Sequence, residues 1–64
     1  MRVNAKLWEA IKNRGLQQQD LARIVGDDPS VVSRIVNGVW NPNEERKIRY
    51  ARALGVKVEQ LFEE

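Results

Sequence analysis

Residues 16–38 read LQQQDLARIVGDDPSVVSRIVNG. Two short amphipathic segments flank Gly26 in this stretch. In the first, from Gln18 to Val25, residues Leu21, Ala22 and Val25 share one helical face, and Gly26 ends the run. The second begins at Asp28-Pro29. Aspartate is a good N-cap, and proline suits a first helical position because its missing N–H would have no partner there. This helix runs to the Asn37-Gly38 pair. With Pro29 at 0°, Val31, Val32, Ile35 and Val36 fall at roughly 200°, 300°, 240° and 340°. Ser33, Asn37, Ser30 and Arg34 fall at roughly 40°, 80°, 100° and 140°. An apolar arc thus backs a polar one made of two serines, an arginine and an asparagine. Lysine and glutamate are the better helix formers for a face that meets only water. Short side chains let a partner approach closely, Arg can donate two hydrogen bonds to a guanine edge, and Asn can pair with adenine.

The same punctuation continues outward. Upstream, Leu7, Ala10, Ile11 and Arg14 recur at helical spacing, Asn4 is placed to cap the start, and Gly15 to end it. Downstream, residues 38–43 (GVWNPN) make a loop, and Asn43 caps a helix from Glu44 to Leu54, with Glu44 and Glu45 favourable to its dipole. Gly55 stops it. A last short helix, about 58–63, offers Val58, Leu61 and Phe62 to a core. The expected architecture is all-α: five helices at about 5–14, 18–25, 29–36, 44–54 and 58–63, in one domain over residues 1–64.

Composition bounds what such a chain does. Its 64 residues include no cysteine and no histidine, so it lacks the commonest zinc ligands and the usual acid–base groups near neutral pH. An enzyme, a metal site, a cofactor site and a small-molecule site are not expected. Eleven basic and nine acidic residues leave a charge of +2, which permits nucleic-acid binding without arguing for it. No apolar run nears the ~18 residues of a membrane span and no signal peptide is visible, so a cytoplasmic location is expected.

Leu16, Gln18, Leu21, Ala22, Gly26, Val32, Ile35, Asn37 and Gly38 stand at the spacings of a known pattern, which continues through Pro42 into ARALGV, Ala51 to Val56. On these residues the chain resembles the lambda-repressor/Cro-like (XRE) helix-turn-helix family of bacterial and phage regulators, over about residues 7–62. The resemblance implies that the third helix lies in the DNA major groove. It implies Pro29, Ser30, Ser33 and Arg34 as base readers. Gln18 would hold a phosphate and buttress the third helix. Gln17, Asn37, Asn41 and Asn43 would join it on the DNA backbone.

The chain also departs from the family. An internal ion pair often found there, an arginine on the first helix with a glutamate late in the third, is replaced by Ile11 and Val36. Replacing both partners can be neutral, whereas losing one strands a charge, so the two are expected to touch in the core. Gln17 stands where a serine or threonine cap is usual. Asp27 replaces an apolar turn residue. Between Asp27 and Arg46 lie four acids (Asp27, Asp28, Glu44, Glu45) against two bases (Arg34, Arg46). That balance predicts weak, salt-sensitive non-specific binding, with Lys12, Arg14 or Lys47 as candidate sources of positive charge. Trp8, Ile24, Val39 and Trp40 stand where exposed or polar residues are expected. Trp8, Val39, Trp40 and Phe62 are candidates for a dimer or partner surface. The leading expectation is a sequence-specific regulator of a double-stranded DNA operator, a homodimer and a repressor. The alternative is a protein-interaction module, an antitoxin or adaptor, that keeps the fold and uses Trp8, Val39 and Trp40.

Overall fold

The computed structural model describes residues 3–62. Five helices follow one another, α1 (Ala5–Asn13), α2 (Gln18–Val25), α3 (Pro29–Val36), α4 (Glu44–Leu54) and α5 (Val58–Leu61), and there is no strand among the described residues. The caps explain the boundaries. The Asn4 side-chain oxygen accepts the Leu7 N–H at 3.0 Å, and the Asn43 oxygen accepts the Arg46 N–H at 2.9 Å. The Asp28 carboxylate accepts the Ser30 N–H at 3.2 Å, with Pro29 opening the helix. At α2 the weak cap Gln17 is supported from inside the helix, where Asp20 accepts the Gln17 N–H at 2.9 Å. Each of these bonds satisfies an amide that the helix itself leaves unpaired.

Two ends differ from expectation. α1 stops at Asn13, because the Arg14 N–H already folds back on the Ala10 and Ile11 carbonyls and Gly15 turns left-handed at φ +71°. α5 is a single turn ending at Leu61, with Phe62 at φ −127° outside helical space. The expected extension to Glu63 lies outside the described residues. Gly26 adopts φ +82°, which lets the chain leave α2 sharply enough to start α3 three residues later, at Pro29.

One core joins the helices. Leu7, Leu21 and Val32 are fully enclosed, and Ile35, Tyr50, Leu54 and Leu61 are at most 2 % exposed. Ile11 and Val36 are both buried in this same cluster, as the missing ion pair requires. The Asn4 N–H also donates to the Val36 carbonyl at 2.7 Å, which ties the start of α1 to the end of α3. α3 is therefore held from behind along its length by apolar contacts and pinned at its last turn.

Candidate nucleic-acid interface

The outer face of α3 carries the polar arc. Pro29, Ser30, Arg34 and Asn37 are exposed and Ser33 is half-buried, over a back formed by Val32, Ile35 and Val36 at 0 %, 2 % and 1 % exposure. Ser30 is partly committed: its hydroxyl donates to the Asp28 carboxylate at 3.2 Å. The Asn37 amide donates to the Ser33 hydroxyl at 3.3 Å. The Arg34 guanidinium has no hydrogen-bond or ion-pair partner among the described residues, although its main-chain carbonyl accepts the Val39 and Trp40 N–H groups. A guanidinium without a partner among the described residues, at the edge of an otherwise short-chained face, is the one group there able to reach a base edge with two donors.

The candidate backbone contacts separate into free and occupied groups. Gln18 is half-buried at the start of α2, and Asn41 is exposed in the loop after α3. Gln17 is exposed and its side-chain oxygen accepts from the Gln19 amide at 3.1 Å. Asn43 is exposed at the start of α4. Its oxygen is already the α4 cap, so only its NH2 group is left to donate.

The charge balance read from the sequence changes most. Asp27 was counted as an acid facing the partner, yet its side chain is only 7 % exposed. Arg46 grips it through two nitrogens, at 3.0 and 3.3 Å, and the Tyr50 hydroxyl donates to it at 3.0 Å. A second arginine, Arg49, lies 3.9 Å away and donates to the Val25 carbonyl at 3.2 Å. The guanidinium of Arg46 also lies 4.9 Å from the Trp40 ring centre. Both the acid and the base thus leave the surface inventory together. Lys47 is withdrawn as well: the residue is 8 % exposed and its ammonium sits 5.6 Å from the Phe62 ring. Lys12 is exposed, but its ammonium lies over the Trp8 ring at 4.4 Å; Arg14 is exposed beside Gly55.

The aromatic surface is smaller than expected. Phe62 is half-buried and meets Tyr50 edge-on at 6.5 Å, so part of its ring lies against the core margin. Trp8, Ile24, Val39 and Trp40 are exposed, between 41 % and 61 %, but a cation lies over each tryptophan. Ile48, 41 % exposed on α4, was not singled out by the sequence reading, because one isoleucine among charged neighbours breaks no pattern.

Burial, and next the bond to Asp27, push the Tyr50 hydroxyl well above the usual tyrosine range. The folded chain then keeps a proton that the unfolded chain loses near pH ~10. The folded state binds more protons above that point, so stability is intact below about pH 10 and falls as pH rises past it. Urea midpoints measured on both sides of pH ~10 should drop on the alkaline side, and drop less in Tyr50→Phe, since Tyr50 is the chain's single tyrosine. Parallel curves for the two proteins would separate the alkaline loss from this hydroxyl.

Comparison with known proteins agrees with this geometry. A helix-turn-helix family model matches residues 9–61. An uncharacterized HTH-type transcriptional regulator of Methanocaldococcus jannaschii is 31 % identical over 62 residues, which cover 97 % of this chain and 91 % of that protein. The crystal structure of the restriction-modification controller protein C.AhdI from Aeromonas hydrophila superposes with a TM-score of 0.86 at 30 % identity, covering 92 % of this chain and 89 % of that one. The family model spans most of the chain and the controller protein shares its fold, and the chain belongs to the XRE-type helix-turn-helix family of DNA-binding transcriptional regulators.

Proposed function

We propose that this chain is a repressor that occupies a specific double-stranded DNA operator as a homodimer, in the cytoplasm, with residues 1–64 acting as one unit and without catalysis. In this reading α3 enters the major groove and presents Pro29, Ser30, Ser33 and Arg34 to base edges. Gln17, Gln18, Asn37, Asn41 and the Asn43 amide face the sugar-phosphate backbone. The observation that carries the reading is the Arg34 guanidinium, without a partner among the described residues, on the exposed face of a helix whose back is sealed. Dimerisation follows from reach: one helix reads only a few base pairs, and two copies about one DNA turn apart multiply the discrimination. With one face of each tryptophan occupied, Val39, the outer faces of Trp8 and Trp40 and the uncovered part of Phe62 are what a second copy would find.

A randomised duplex pool, titrated against the chain at two salt concentrations, tests this. Enrichment of a two-fold symmetric sequence, with affinity falling steeply as salt rises, is expected. Enrichment of a single half-site would overturn the dimer. Absence of any enrichment at either salt would leave the protein-interaction reading in possession of Trp8, Val39 and Trp40. Repression is tested separately, by a promoter–reporter fusion carrying the enriched site.

A further inference from the structure

The Asp27 cluster is an ionic and phenolic junction at the edge of a small, largely apolar core. It joins three segments that are distant in sequence. Asp27 sits in the turn between α2 and α3, Arg46, Arg49 and Tyr50 come from α4, and Trp40 lies over Arg46 from the loop after α3. A turn residue needs no such investment to be stable, and an apolar residue would fill the space without desolvating a carboxylate. What the cluster does that an apolar contact does not is fix orientation. The two bonds from Arg46 define a plane, and the hydroxyl of Tyr50 defines a third direction. The first turn of α3, with Pro29 and Ser30, begins two residues after Asp27.

We propose that Asp27 is a positioning residue for DNA reading. It locks the start of α3 against α4 and the Trp40 loop, and it withholds Arg46 from the phosphates. The base-edge face and the backbone-facing loop then meet the duplex as one rigid body, which sharpens discrimination between sequences at the expense of one cationic contact. This rests on α3 being the reading helix.

The test measures two ratios that a merely lower folded fraction leaves unchanged: selected against scrambled duplex affinity, and the slope of log affinity against log salt. Both are taken by fluorescence anisotropy, well below each variant's melting midpoint. Asp27→Asn frees Arg46, so the slope is expected to steepen by about one ion. Discrimination is expected to fall by about fivefold or more, the low end of one lost base contact. Arg46→Gln alone should lower discrimination at an unchanged slope, since Arg46 is not on a phosphate to begin with. Asp27→Asn with Arg46→Gln should return the slope to its wild-type value. A shallower slope in Arg46→Gln, or an Asp27→Asn protein that melts lower yet keeps wild-type slope and discrimination, overturns the proposal. Should Asp27→Asn not fold, Tyr50→Phe decides, because it deletes one hydroxyl and leaves both charges. Reduced discrimination at constant slope supports the positioning role, and wild-type discrimination removes it. A wild-type chain that selects no duplex removes the reading-helix assignment itself, whereas a selective wild type with insensitive variants removes only the role of Asp27.

Discussion

Ile11→Arg is expected to abolish the cooperative thermal transition, or to leave it barely above room temperature. Ile11 is 3 % exposed inside the shared core, and Val36, the residue expected to meet it, is 1 % exposed and apolar. A guanidinium placed there loses its hydration and finds no acceptor, which costs several kcal/mol. A chain of this length has roughly 3–10 kcal/mol to lose. Val36→Glu alone should damage the fold by the same mechanism. Together the two substitutions rebuild the ion pair common in the family, so part of the loss should return. Circular-dichroism melts of the wild type, both singles and the double form a complete cycle. A coupling of about 1 kcal/mol or more places the side chains in contact. Simple additivity would show that the two are buried apart within the same cluster.

Arg34→Ala is expected to do the opposite: to leave folding untouched and weaken binding to the selected duplex by about 1–3 kcal/mol. The side chain is exposed and has no partner among the described residues, so its removal deletes no internal contact. Its main-chain carbonyl keeps the Val39 and Trp40 bonds in the alanine variant. Repeating the pool selection with the variant should relax one base position per half-site, the signature of a lost edge contact, while the other positions keep their preference. A uniform loss across all sequences would instead put Arg34 on a phosphate. An unchanged preference with unchanged affinity would mean that the reading face lies elsewhere.

These two experiments probe features that were open to view in one dimension. The alternation of Val32, Ile35 and Val36 with Ser30, Ser33 and Arg34 repeats every helical turn, and a helix displays such a pattern on opposite sides whatever surrounds it. The caps Asn4, Asp28 and Asn43 act on amides at most three residues away. The joint replacement at Ile11 and Val36 was legible because burying one charge without the other is too costly to persist.

The occupied or hidden groups were not legible. Phe62 could be read as core or as interface, and only the position of Tyr50 shows that part of its ring is spent against the core margin. Lys47 looks like any other lysine on a charged helix until Phe62 is placed beneath its ammonium.

The chain's own order of residues determines where helices start and stop and which side of each is greasy, because hydrogen bonds and periodicity within a helix are local. It does not determine which charges survive at the surface. Asp27 and Arg46 are 19 positions apart, and each alone looks like a solvated ion. Only when α4 packs across the α2–α3 turn does their separation fall to 3.0 Å and water leave the carboxylate. That event takes an acid and a base from the charges free at the surface, because electrostatic pairing depends on distance through space and not along the backbone.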